Sequence, residues 1–209
     1  MTPEGTVRAA RKTRIQRKNS DAILEAALDL FSQQGFRGTT LDAIAGAAGL
    51  SKPNLLYYFP SKEAIYLTLI GRMLESWLDP LRALDPEGEP VEEILAYVHR
   101  KLEMSRQFPR ESRLFANEVL QGAPHIGEVL AGALAELVEE KAQVIARWSS
   151  EGRIAVVHPK HLIFSIWAET QHYADFDVQV RAVLGPHESD PFPPAEAHLD
   201  LLFRKLLHP

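Results

Sequence analysis

Residues 38–59, GTTLDAIAGAAGLSKPNLLYYF, constrain this chain more than any other segment. Two short apolar-periodic stretches flank Gly49, a residue that tolerates a left-handed backbone, and Ser51 follows where the second stretch needs an N-cap. Helices this short must cross steeply to bury anything. A steep crossing needs small side chains, here Ala43, Ala45, Gly46, Ala47 and Ala48. The pattern predicts a helix-turn-helix with Leu50 as the apolar plug under the turn. On its second helix Leu55, Tyr58 and Phe59 share a three-four spacing and face inward, leaving Lys52, Pro53, Asn54 and Tyr57 outside. Taken alone, the small-residue corner is more often an αα-corner inside a helical core than a DNA-binding motif.

The rest of the chain is read as helix too. Apolar positions recur at three and four, alternating β-branched runs are scarce, and breakers fall at regular intervals. The expected helices cover residues 20–35, capped by Asn19 or Ser20 and stopped at Gly35, then 40–48, 51–59, and a long one capped by Ser61 and ending near Pro80. Further helices are expected at about 90–107, 110–121, 126–151, 159–178 and 193–207, with a proline-rich loop at 185–194. The fold class is therefore all-α. Its expected division is a basic N-terminal arm (1–18), a three-helix helix-turn-helix domain (19–62) and a helical domain for effector binding and dimerisation (63–209).

Charge sharpens the division. The formal net charge is -5, which by itself disfavours a polyanionic partner. Residues 1–20, however, carry Arg8, Arg11, Lys12, Arg14, Arg17 and Lys18 against Glu4 alone, and the excess stays positive through Lys62. A basic head on an acidic body suits a protein whose head meets phosphate while its body repels it. A recognition helix meets the major groove with its N-terminal turn. Asn54 is suited to adenine and Lys52 to a phosphate or guanine, with Pro53 beside them. Thr39, Thr40, Tyr57 and Lys62 are expected to contact phosphate and fix register.

The string at residues 39–66, TTLDAIAGAAGLSKPNLLYYFPSKEAIY, resembles the signature of the TetR family of repressors. The resemblance implies a three-helix head, a fourth helix leading into a ligand domain, and a homodimer on a near-palindromic double-stranded operator. This chain departs from the common pattern at Pro53 and Leu56, so the operator sequence does not carry over. Three further strings, at residues 54–79, 113–124 and 161–176, resemble the regulators of pyrimidine utilisation within that family. They imply uracil or thymine as effector.

Phe164, Trp167 and Gln171 lie three and four apart on one expected helix face, with Asp175 a turn further on. A Gln amide offers one acceptor and two donors to the edge of a pyrimidine, and Trp167 and Trp77 offer stacking surfaces. Tyr173, Arg113, Lys101 and Ser105 are further candidates for the ring oxygens. Ordinary core aromatics with an interfacial amide would show the same spacing. A TetR-type repressor of an efflux or other catabolic operon, with a more hydrophobic ligand, is the rival reading.

Other chemistry finds little support. His158, His161, His172 and Asp175 are not spaced as metal ligands, so no metal is expected. There are no cysteines, and no nucleophile elbow, phosphate loop or HExxH motif, so neither cofactor nor enzymatic activity is expected. With no apolar run of membrane-spanning length and no secretory h-region, a bacterial cytoplasmic protein is the expectation.

Overall fold

The computed structural model describes the backbone of residues 3–209 and the side chains of residues 14–209. Among the described residues the secondary structure is entirely helical. In chain order the helices are α1 (Pro3–Gly38), α2 (Leu41–Ala47), α3 (Lys52–Tyr58), α4 (Lys62–Arg82), α5 (Pro90–Gln107) and α6 (Pro109–Leu120). They continue with α7 (Gly127–Val129), a π-helical turn (Leu130–Leu134), α8 (Ala135–Ser150), α9 (Pro159–Asp175), α10 (Asp177–Leu184) and α11 (Phe192–Leu207). The chain forms two compact units, residues 1–73 and 74–209, and the division falls within α4.

In the first unit, α1 buries Ile23, Leu24, Ala27, Leu28 and Phe31, and α3 and α4 contribute Leu55, Ile65, Tyr66 and Ile70. Tyr66 meets the Phe31 ring edge-on at 5.0 Å. Helix α1 does not start at the Ser20 cap that the sequence suggested. Its basic, glutamine-containing run has good helix propensity, and the Asn19 side chain donates to the Tyr58 hydroxyl at 2.8 Å instead of capping. The expected stop at Gly35 is present as a break in the helix (φ 69°, ψ 175°). Of the basic arm, the side chains of Arg8, Arg11 and Lys12 lie outside the described residues.

In the second unit, one core gathers Leu95, Val98 and Leu102 of α5, Ile145 and Trp148 of α8, Ile163 and Ile166 of α9, and Leu199 and Phe203 of α11. The loop after α4 is tied to α8 by donors reaching its carbonyls. The Trp148 indole N–H donates to Pro86 at 3.1 Å and Lys141 to Leu84 at 3.3 Å.

Three further boundaries differ from the periodicity. Helix α4 passes through Pro80 to Arg82, because a proline in the last turn removes only one hydrogen bond. The stretch read as one helix over 126–151 contains a π-helical turn around the small residues Ala131, Gly132 and Ala133. Residues 159–178 break at Phe176 (φ -116°, ψ 29°), after which α10 forms. Its β-branched residues, Val178, Val180 and Val183, weaken the helical signal.

Candidate DNA-reading surface and effector cavity

The turn of the helix-turn-helix is built as its residues require. Gly49 has φ 68°, and the Leu50 N–H returns to the Ala45 carbonyl at 2.9 Å. Thr40 Oγ1 accepts the Ala43 N–H at 3.1 Å, and Ser51 Oγ accepts the Asn54 N–H at 3.4 Å, so both short helices are capped by hydroxyls. Helix α2 packs through Ile44 and Ala45, whereas Ala43, Gly46 and Ala47, which the sequence assigned to the crossing, are exposed. The crossing is supplied by one small residue beside a large one, and the remaining small residues leave the outer face of α2 flat.

Leu55 is fully buried and Phe59 nearly so, while Lys52, Pro53, Asn54 and Tyr57 are exposed together on α3, with Thr40 nearby in sequence at the start of α2. Lys52 pairs with Asp42 at 2.9 Å in solvent. Such an exposed pair is weak and readily exchanged for another anion. Tyr57, two-thirds exposed, accepts from the Gln16 amide at 3.2 Å. Thr39 and Lys62 depart from the sequence expectation. Thr39 is buried, with its hydroxyl donating to the Gly35 carbonyl at 2.9 Å. Lys62 Nζ donates to the carbonyls of Phe36 and Thr39 at 2.7 and 2.8 Å and lies 4.4 Å from the centroid of the Phe36 ring. Both act on the broken end of α1, whose carbonyls need donors.

In the second unit a cavity of about 70 Å³ is lined by Leu74, Trp77, Leu78 and Leu81 of α4, Tyr97 and Lys101 of α5, Phe115 of α6, Leu134 of the π turn, and Trp167 and Gln171 of α9. Trp77, Lys101, Trp167 and Gln171 are thus brought together from three helices. Ser105, Arg113 and Tyr173 are not among its walls. Ser105 is buried with its hydroxyl on the Lys101 carbonyl, Arg113 acts electrostatically on Asp175, and Tyr173 packs toward Phe192 with ring centroids 6.1 Å apart. Phe164, expected on the same face as Trp167, is half exposed.

Two interactions fix the polar groups. The Trp167 indole N–H donates to the Tyr97 hydroxyl at 2.6 Å, which sets the plane of the indole. Lys101 Nζ stands 4.5 Å from the centroid of the Trp77 ring. Burial lowers the Lys101 ammonium to a pKa of about 8, against a smaller opposing effect of Asp175. Burial also pushes the Asp175 carboxyl up, opposed by the Ser112 hydroxyl that donates to it at 2.5 Å. Tyr97 and Phe115 were missed from the sequence. Tyr97 stands four residues before Lys101 and so shares its helix face, a signal that was available. The leucines carried no signal that distinguishes cavity from core. The described residues contain no cluster of His, Asp or Glu able to hold a metal ion, and no helix long and apolar enough to cross a membrane.

Residues 23–69 match the family model of bacterial regulatory proteins of the tetR family, and residues 70–208 match that of the C-terminal region of YcdC-like proteins. The chain is 49% identical over 185 residues to the HTH-type transcriptional regulator RutR of Escherichia coli strain K12, covering 88% of this chain and 87% of the relative. The biofilm operon negative regulator IcaR of Staphylococcus aureus matches at 48% over only 46 residues, 22% of this chain and 25% of that one. Among solved structures, AibR in complex with isovaleryl coenzyme A and operator DNA superposes with a TM-score of 0.71 at 18% identity, covering 88% of this chain and 97% of that one. A regulator from Streptomyces coelicolor superposes with the same TM-score at 22% identity, covering 90% and 97%. These two establish the fold alone. With the helix-turn-helix and the helical body each matched by a family model, and with a near-full-length relative at 49% identity, the chain belongs to the TetR family of bacterial transcriptional regulators.

Proposed function

We propose that this regulator is a repressor of pyrimidine utilisation, released from its operator by a pyrimidine base, uracil or thymine. The observation that carries the reading is the small cavity in which two indoles, an amide and an ammonium converge. Drug-sized ligands occupy pockets of about 300–1,000 Å³, so about 70 Å³ suits a single small ring far better than a bulky hydrophobic effector. Trp77 and Trp167 supply flat apolar surfaces, Gln171 meets the alternating carbonyl and N–H edge, and Lys101 donates to a ring oxygen. The resemblance of residues 161–176 to pyrimidine-utilisation regulators supports the same class.

On the DNA side, residues 19–62 form the reading domain. Asn54 and Lys52 address base edges or phosphate, Pro53, Tyr57 and Thr40 lie against the backbone, and Thr39 and Lys62 hold the head in shape for them. Residues 63–209 bind effector and dimerise, with the exposed Leu201, Leu202 and Leu206 of α11 offering apolar surface to a second copy. A two-fold dimer reads a near-palindrome. Helix α4 carries Trp77 and three leucines into the cavity and runs without interruption into the head. A ring bound against it biases the DNA-competent state by no more than its differential affinity for the two states, and operator weakens effector binding by the same factor.

The test is Gln171→Leu, assayed by gel-shift on the promoter region adjoining its own gene. DNA binding is retained and release by uracil or thymine is lost. Wild-type release in this variant refutes the assignment of Gln171, and release by bulky apolar compounds but not pyrimidines favours the rival class of ligand.

A further inference from the structure

Lys101 is a buried cation that the protein leaves without a close counter-ion. Its side chain is 4% exposed, and no acceptor among the described residues stands within hydrogen-bond distance of its Nζ, which faces the Trp77 ring in the cavity wall. The charged group that acts on it is Asp175 of α9. That carboxyl is occupied by the Ser112 hydroxyl of α6, is flanked electrostatically by Arg113 and His172, and is itself pushed toward its neutral form by burial. On α5 the neighbouring Tyr97 hydroxyl is engaged by Trp167. An ammonium taken out of water is stable only with an anion or good acceptors around it. The cavity therefore presents a positive site that its own walls do not neutralise.

We propose that the effector is bound as the ring anion, its imide N–H proton lost to solvent, and that Lys101 is the residue that selects for that form. This rests on the pyrimidine reading above. The N–H bond breaks, the proton leaves to buffer, and the negative charge spreads over the imide nitrogen and its two flanking carbonyl oxygens. One of those oxygens accepts from Lys101 Nζ, while the Gln171 amide serves the remaining edge. An opposite charge at contact distance shifts such an ionisation by about 1–3 pKa units, and a ring that fills the small cavity displaces the water that would otherwise screen it.

Proton counting separates this from a neutral ring on an ammonium, and the preference for a more acidic ring separates it from a neutral ring on a neutral lysine, which holds the same number of protons. In the effector-free protein Lys101 titrates at about 8. Below that pH the free ammonium and the neutral ring hold one proton more than the bound ion pair. Affinity for total pyrimidine therefore rises about tenfold per pH unit up to the Lys101 pKa and then levels. A neutral ring on an ammonium gives the opposite profile, flat below the Lys101 pKa and falling above it.

The experiment is isothermal calorimetry of the full chain with uracil and with 5-fluorouracil, a more acidic ring of nearly the same shape. Titrations run from pH 6 to 9 in buffers of different ionisation enthalpy, so that released protons are counted directly. The expected result at neutral pH is release of close to one proton per ring and about tenfold tighter binding for each pKa unit by which the ring is more acidic. Lys101→Met serves as the second arm. It removes an unneutralised buried charge, so the variant melts higher than the parent, yet it loses both the pH slope and the preference for the acidic ring. A flat profile below the Lys101 pKa with no proton released, or an unchanged slope in Lys101→Met, overturns the proposal while leaving the pyrimidine reading intact. Absence of binding by either ring at every pH, together with absence of operator release, removes the pyrimidine reading itself.

Discussion

The head and the body of this regulator are built from the same helices but encode their surfaces differently. Every outward residue of the proposed DNA-reading surface, from Thr40 to Tyr57, lies within one short stretch, and each helix there begins with its own hydroxyl cap. The cavity of the body draws its walls from four helices and a π turn spread between Leu74 and Gln171. A local surface needs only the right residues in the right turn. A cavity assembled from distant segments needs the whole core to be packed first, so its composition depends on contacts that periodicity does not specify.

The difference is most severely tested by removing the head's core while leaving the body alone. Leu55→Ala takes a fully buried side chain out of α3, at a cost of about 2–5 kcal/mol. The head's core is small, Leu55 and Phe59 with their neighbours on α1, α2 and α4, so the variant should lose operator binding almost completely in a gel-shift. Effector binding measured by calorimetry should persist, because none of the cavity residues belongs to the head's core. Simultaneous loss of both activities would mean that the body does not hold its cavity without an intact head.

The same contrast explains what the sequence disclosed. The inward positions Leu55 and Phe59 and the outward Lys52, Pro53, Asn54 and Tyr57 followed from spacing on one short helix, and the structure has them so. Thr39 and Lys62 did not follow, because a polar side chain beside a helix end serves a phosphate and a main-chain carbonyl equally well, and the break at Gly35 that creates the needy carbonyls is a tertiary fact. In the body, Trp77, Lys101, Trp167 and Gln171 are chemically distinctive and were recognisable. Leu74, Leu78, Leu81 and Leu134 were not, since a leucine against a ligand has the same pattern as a leucine against another leucine. Arg113 and Tyr173 share helices with cavity residues but stand outside its walls, an outcome set by helix rotation within the packed core.

A smaller effect sharpens the account of the body. Tyr97 holds the Trp167 indole through one hydrogen bond and is itself part of the cavity wall. Tyr97→Phe keeps the ring and removes the acceptor, leaving a partly buried indole N–H without its partner, which costs about 1–3 kcal/mol of stability. Effector affinity should fall by roughly threefold to tenfold through disorder of the stacking surface, while DNA binding in the absence of effector is unchanged. The indole environment is directly visible in near-ultraviolet circular dichroism. An unaltered signal with unaltered affinity would show that packing alone, without the hydrogen bond, orients Trp167.

The smallest effect belongs to the exposed pair on the head. Lys52 and Asp42 meet at 2.9 Å in solvent, and such pairs contribute about 0–1 kcal/mol to stability, so Lys52→Ala should melt within a degree or two of the parent. Its consequence for DNA is of another kind. A lysine that exchanges a carboxylate for a phosphate releases a counterion, so its loss from both half-sites weakens operator binding and reduces the salt dependence by about two units of the log-log slope, one from each protomer. Asp42→Asn frees the same lysine and should strengthen binding at low salt, with the slope little changed. If Lys52 instead reads a guanine, Lys52→Ala relaxes sequence preference at one base pair in each half-site by about 1–3 kcal/mol. A set of operators varied at single positions tells the two roles apart, because a phosphate contact weakens every variant equally and a base contact does not.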